Sequence, residues 1–495
     1  MDDITKRRLS QYYQHNKDGY ILDDITFNDL NLDEIFEKIN KTSSSLGEEV
    51  LYSLLRKPKE TKEDISAFEE KISIYANDTD KYDKAKKELR KIPKLSKISV
   101  FEYLYHLEEV KSISPILKFR AIILMLIAIA CCFINSALGI VLLVGVYIFN
   151  AISYFKVKKD IDGNLICFKY LGDAIKVYEK MPDSYKDKAS KLQFLKTGSL
   201  WFGNLSGVTA NGGSGNPLDI IIDLLKMGFW FDIVHFYSIL DKVKNKRDDI
   251  EAVLVELGMD DTYLSIIDLR KSMPVYSLPK FDLDKEISII DGVHPLIENA
   301  KPNSLTTTKS ILLTGSNASG KSTFLRMVAV NAILAQTINT VYAKSYNGDL
   351  FRVISSMSIT DSITNNDSYY MAEVKSLKRI ISECESNEIC VLSFTDELLK
   401  GTNTKERIAA SYSILKYLDE KCISLAATHD IELTKMLENV YDNYHFKEDM
   451  QDDDILFNYQ LLEGPATTQN AIKLLLLNGF PERIVDESIS AYKSL

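Results

Sequence analysis

Hydrophobic and polar residues follow three different rhythms along this chain. Residues 28 to 112 and 160 to 272 are rich in Lys, Glu, Leu and Ile at helical spacing, with few prolines, and predict a helical bundle. The stretch "GNLSGVTANGGSGNPLD", residues 203 to 219, interrupts that texture with glycine and small polar residues and reads as a loop or linker. From Phe119 to Phe155 the only charge is Arg120, a run about twice as long as one helix needs to cross a hydrocarbon core of ~30 Å. Asn135 and Ser136 split it, and the expected result is a helical hairpin through the membrane. Lys118 and Arg120 at one end, with Lys156, Lys158 and Lys159 at the other, place both flanks on the cytoplasmic side. The competing reading is an apolar helix pair buried inside a soluble domain. Beyond about Lys285 short apolar runs ("ISIID", "ILLTG", "RVISSM", "CVLSFTDE", "SLAATHD") alternate with helical segments, which predicts an α/β domain with a largely parallel sheet.

The expected organisation is therefore an N-terminal helical part over 1–115, a transmembrane hairpin over 116–158, a second helical part over 159–284 and an α/β domain over 285–495. The length of 495 residues suits several cores. A net charge of -10 argues against a surface devoted to nucleic acid, although a local basic patch survives such an average. The six cysteines are scattered, so neither a disulfide framework nor a zinc site is expected, in keeping with a reducing cytosol. The N-terminal residues have no apolar core, so no secretory signal is expected there.

Chemistry concentrates in the last third. Gly315-x-x-x-x-Gly320-Lys321-Ser322 is a phosphate-binding loop between a predicted strand and a predicted helix. Its glycines let backbone N–H groups turn toward phosphates, and the helix start adds its positive end. Gly315, Ser316, Asn317, Ala318, Ser319, Gly320, Lys321, Ser322 and Thr323 are the expected ATP-binding residues. Lys321 would reach the β- and γ-phosphates and Ser322 would ligate Mg2+. The apolar run "ICVLSFTDE" ends in two carboxylates: Asp396 is expected to hold the Mg2+ shell and Glu397 to orient and deprotonate the attacking water. A third run ends in Thr428 and His429, whose imidazole could report the γ-phosphate.

The order and spacing of these pieces resemble the MutS family of DNA-repair ATPases. "DGVHPLIE" (291–298) has Val293 where the family has arginine, and "TGSNASGKST" (314–323) has Ser316 where proline is usual. "SYYMAEVKSLKRII" (368–381), "DELLKGTNT" (396–404), "ATHDIEL" (427–433) and "EGPATTQNAIKLLLLNGFPERIV" (463–485) complete the C-terminal match. Weaker likenesses at 46–75 and 260–273 resemble the opening and closing of the family's helical core. The resemblance implies an ABC/MutS-like P-loop NTPase domain behind an all-α core, working as a homodimer through the ATPase domains, with Ser368 reaching the partner's nucleotide. It also implies DNA as a partner and a role in mismatch repair. The family's mismatch-reading module has no counterpart in the ~40 residues before the core-like segment, and the apolar hairpin stands where long lever helices and a clamp would be. Leu399-Lys400 replaces the family's Gly-Arg. Three functions are compatible with this sequence: a membrane-tethered, MutS-like ATPase acting on DNA, an ATP-switched clamp on a protein or membrane partner, and an ABC-type transporter ATPase. The last lacks a Leu-Ser-Gly-Gly-Gln segment.

Overall fold

The structure is a computed structural model that describes residues 1–111, 113–181, 186–196, 217–316, 319–357, 369–386, 389–451, 454–466 and 479–494. The chain forms two compact units. One holds residues 1–17, 40–53 and 71–269, and the other residues 18–39, 54–70 and 270–495.

The first unit is helical among its described residues. Helix α1 (Asp3–His15) is capped by the Asp2 carboxylate, which accepts from Thr5 N at 2.7 Å. Helices α2 (Pro115–Ile134) and α3 (Ser136–Tyr178) form an antiparallel pair that turns at Asn135, whose side chain accepts from Leu138 N and caps α3. Both are long and apolar enough to cross a membrane. Their large side chains are turned outward: Phe133 is 89% exposed and Val141 71%. α3 does not stop where the apolar run stops. It continues for a total of 43 residues because nothing beyond Lys156 breaks a helix, and its second half is buried in the helical unit at Leu165, Phe168 and Leu171. Gly163 lets Tyr103 pack closely against it, since a Cβ there would lie 2.0 Å from the Tyr103 hydroxyl and would displace that ring.

Helices α4 (Pro217–Phe229), α5 (Phe231–Asn245) and α6 (Arg247–Ser272) complete this description. The proposed linker lies outside the described residues up to 216, and its last three residues open α4. The buried Asp261 of α6 accepts from Ser43 N, Ser44 N and Ser44 Oγ, at 2.9, 2.8 and 2.6 Å. The start and end of the helical segment are thereby fastened to each other across the apolar pair that separates them in sequence.

The second unit is built on a six-stranded sheet. Strands β1 (Ile287–Gly292), β2 (Asn303–Thr307) and β4 (Ser345–Gly348) form a small antiparallel sheet in the order β2-β1-β4. The large sheet has the order β5-β6-β7-β3-β8-β9, with β3 (Ile311–Thr314), β5 (Arg352–Ser356), β6 (Val391–Asp396), β7 (Ile423–Ala427), β8 (Asp442–Gln451) and β9 (Asp454–Glu463). β5, β6, β7, β3 and β8 run parallel, and β9 returns antiparallel to β8. β3 and β7 are buried at every position, as central strands covered on both faces must be. Helix α7 (Lys321–Thr337) follows β3 directly and is almost wholly buried.

Residues 18–39 and 54–70 are N-terminal in sequence but pack in this α/β unit. The buried Asp29 carboxylate accepts from Ser355 Oγ and Met357 N, both at 2.8 Å, at the end of β5. Arg270 forks onto Glu69 with two bonds of 2.7 Å. A bidentate pair of this kind fixes geometry as well as charge.

Candidate nucleotide site

Three parallel strands end side by side: Leu313 of β3 is in register with Ala427 of β7, and Ala427 with Asp396 of β6. The loops leaving these ends meet at one edge of the sheet, where an α/β fold places ligands. After β3 the chain turns through Gly315 at φ 144° and Gly320 at φ 108°, conformations that glycine adopts without strain. A Cβ on Gly315 would also lie 2.9 Å from Ser319 Oγ. Lys321 opens α7, and its ammonium donates to the carbonyls of Gly315 and Ser316 at 2.9 and 2.8 Å. Ser319, Gly320, Lys321, Ser322 and Thr323 all line one cavity. Asn317, Ala318 and Ser368 lie outside the described residues.

At the end of β6, Asp396 keeps a buried Oδ1 without a hydrogen-bond partner. The next residue, Glu397, sits at φ 55° and Leu399 at φ 57°, left-handed conformations that are costly for side chains of this size. Leu399 occupies the position where the MutS pattern has glycine. Three contacts hold this bent segment: Glu397 N donates to Ala427 O at 2.9 Å, and the buried Glu373 carboxylate accepts from Lys400 N at 3.2 Å and Gly401 N at 3.5 Å.

The Glu397 carboxylate is gripped on both oxygens, by His429 Nε2 at 2.8 Å and by Lys400 Nζ at 3.2 Å. The His429 hydrogen bond, opposed by partial burial and assisted by Lys400, holds its pKa down to about 2. Lys321 Nζ also approaches His429 Nε2, at 3.5 Å. That nitrogen cannot donate to Glu397 and accept from Lys321 together, and the shorter, charge-assisted bond to Glu397 prevails. Asp430, the next residue, is clamped by Arg407 through bonds of 2.9 and 2.6 Å. The imidazole is thus supported from its own backbone neighbour.

Beside the loop opens a cavity of about 670 Å³, within the range of small-ligand sites. Its wall is formed by His294, Ile297, Asn303, Met327, Phe446 and Tyr459, together with the loop and Glu397. Burial, and then the nearby Arg326, push the His294 pKa down to about 4, so its ring is neutral at pH 7. Tyr459 stands over the loop, where a Cβ on Gly320 would lie 3.2 Å from its ring. Asn303 fixes that stretch of β9 by donating to Tyr459 O at 3.0 Å and accepting from Leu461 N at 2.8 Å. Sequence reasoning did not find Tyr459, Asn303 or Met327 as site residues. Only the pairing of β8 with β9 brings Tyr459 here, and no local pattern announces it. Glu373 was within reach, because it is the glutamate of the "SYYMAEV" segment.

Residues 311–495 match the family model for MutS domain V. The DNA mismatch repair protein MutS of Acetivibrio thermocellus is 27% identical over 277 residues, covering 52% of this chain and 31% of that protein. The protein of the same name from Rickettsia rickettsii (strain Sheila Smith) is 31% identical over 229 residues, 43% of this chain and 26% of that protein. MutS of Clostridium botulinum (strain Eklund 17B) is 28% identical over 276 residues, 51% of this chain and 29% of that protein. The matches thus span between a quarter and a third of these relatives' own length. The region that carries the nucleotide-site motifs is thus similar to the MutS proteins.

Proposed function

We propose that this protein is a membrane-anchored, MutS-like ATPase that binds and hydrolyses ATP with Mg2+. The observation that carries this reading is the meeting of Lys321, Asp396, Glu397 and His429 at the ends of β3, β6 and β7, beside a cavity large enough for a nucleoside. Loop N–H groups and Lys321 would take the phosphates, and Tyr459 offers the base an aromatic face. The orphaned, buried Oδ1 of Asp396 suits a cation, and with the Ser322 hydroxyl it forms the donor set for Mg2+. The metal would neutralise charge on the phosphates. With its pKa near 2, Glu397 acts first as an acceptor that orients water. Proton abstraction becomes efficient when His429 or Lys400 turns to the γ-phosphate and releases one carboxylate oxygen. His429 is therefore placed to couple phosphate binding to the strength of the base.

A complete site is formed between two copies of the ATPase domain, with Ser368 of one copy completing the phosphate contacts of the other. The anchor is the pair α2–α3, residues 119–155, which places the protein in the cell membrane with both flanking regions in the cytoplasm. Its outward apolar side chains support this reading, since burying each one is worth roughly 1.5–3 kcal/mol and a whole domain is stable by only about 5–15 kcal/mol. The names of the relatives support DNA as the partner and DNA repair as the process. The exposed apolar pair favours the second reading, an ATP-switched clamp on a protein or membrane partner. Fluorescent-ATP binding to wild type and Lys321→Ala tests the site: binding should be weakened sharply by the substitution, and equal binding would contradict the assignment. Binding to DNA whose affinity falls steeply with salt would favour the repair reading, and none at low salt would favour the clamp.

A further inference from the structure

The apolar pair does not stand alone: α4 is pinned to it by polar contacts that leave most of α4 uncovered. Asn150 of α3, 0% exposed, donates to Ala121 O of α2 at 3.1 Å and to Gly228 O of α4 at 2.8 Å. Trp230 Nε1 returns a bond to Asn150 O at 3.0 Å, and the Tyr147 hydroxyl donates to Leu224 O at 3.2 Å. Gly228 permits the approach, since a Cβ there would meet the Tyr147 ring at 3.1 Å. Trp230, at φ 60°, then breaks the path, and α5 begins with Asp232 accepting from the Tyr154 hydroxyl at 2.6 Å. The level of contact thus moves from Tyr147 to Tyr154 as the chain moves from Leu224 to Asp232. α4 therefore joins the pair at its basic end, the end flanked by Lys118, Lys156, Lys158 and Lys159.

Upstream of this joint α4 is bare. Ile221, Ile222, Leu224 and Leu225 are 53, 46, 48 and 47% exposed. At 100° per residue, Asp223 and Lys226 fall about 60° apart, and the other side chains from Ile221 to Phe229 are apolar. Asp223 pairs with Lys226 at 3.4 Å, which balances their charges. Because α4 runs beside α3 in the same direction, this apolar body lies at the level of the apolar run of α3. The joint itself carries the residues of a membrane surface. Trp230 is an aromatic with a polar edge, and Arg120 lies 5.2 Å from the rings of both Phe149 and Trp230.

We infer that α4 is a third membrane element, a short helix that enters the cytoplasmic leaflet alongside the hairpin and sets its Ile221, Ile222, Leu224 and Leu225 surface among acyl chains. The occupant of its exposed face is lipid acyl chain, because that face is continuous with the outward apolar surface of α2 and α3 and shares their basic collar. The helix would widen the membrane footprint of the first unit, and the Trp230 bend would fix how the buried helices leave the bilayer. This inference rests on the hairpin spanning the membrane.

The test separates the two. An environment-sensitive fluorescent amino acid is placed at Ile221, or at Leu126 of α2, in the full chain reconstituted into phosphatidylethanolamine–phosphatidylglycerol vesicles with brominated acyl chains. Both probes should be quenched, each more by bromine near the chain ends than by bromine near the headgroups. A probe at Leu225 repeats the measurement at a second exposed position, so one poorly folded variant does not decide it. Quenching at 126 with none at 221 or 225 overturns the inference and leaves the hairpin standing. No quenching at 126 means that the hairpin does not enter the bilayer, and the inference falls with it.

Discussion

The α/β unit and the α2–α3 pair are both rich in aliphatic residues, and they use them in opposite ways. In β3 and β7 every residue is buried, and the polar groups gather at the strand ends, where Glu397 lines a cavity and bonds His429. In the helix pair the aliphatic residues point outward and a polar one, Asn150, is buried at the centre. Hydrophobicity along a sequence shows how much apolar surface must be covered, and the direction of the side chains shows what covers it. For the sheet the cover is the rest of the unit. For the helix pair none of the described residues covers that surface.

The largest expected effect isolates the chemistry of the first region from the anchoring of the second. Glu397→Gln should lower steady-state ATP turnover by ~10² to 10⁴ while leaving ATP binding and membrane association intact. Turnover within a few-fold of wild type would remove Glu397 from catalysis. Next in size is a pair of matched truncations. Leu312→Ala, 0% exposed in β3, should destabilise the α/β unit by about 2–5 kcal/mol through a cavity. Leu142→Ala, on the outer face of α3, should change unfolding in detergent by no more than about 0.5 kcal/mol. Equal losses in the two variants would show that Leu142 is packed against protein, and the comparison would collapse.

The last contrast sets two carboxyl groups against each other. Glu49, wholly buried in the helical unit, has its pKa pushed up to about 8 by burial, against which Ser99 and Arg8 act only in part. The folded chain therefore keeps a proton that the unfolded chain releases near pH 4.5. Stability falls as pH rises from there to about 8, by at most about 1.4 kcal/mol per pH unit. Glu397 has the opposite sign. Its contribution is present above the ordinary carboxylate range and is lost as pH falls toward 2. Thermal unfolding between pH 5 and 8 should thus show a downward slope that Glu49→Gln flattens. An unchanged slope in that variant would assign the pH dependence elsewhere.

What could be read from sequence depended on how local the cause was. The phosphate loop, the carboxylates closing β6 and the histidine closing β7 are each fixed within a few residues of a strand end, and they could be named before the fold was known. The two apolar helices were equally plain, but not the continuation of α3 to Tyr178, because Lys and Asp after the apolar run neither stop nor require a helix. Tyr459 reaches the cavity through the pairing of β8 with β9, and Asp29 reaches β5 across more than three hundred residues. α4 was hidden for another reason. The helix is only 13 residues long and bears two carboxylates, so it resembles a core helix until its bare surface is seen.

The central claim, an ATPase site carried on a membrane anchor, is tested most directly by flotation of the full-length protein with liposomes and assay of each fraction for Mg2+-dependent ATP hydrolysis. The account predicts that the activity floats with the lipid and withstands high salt and carbonate, as two spanning helices would require. Activity that remains wholly in the soluble fractions would contradict it.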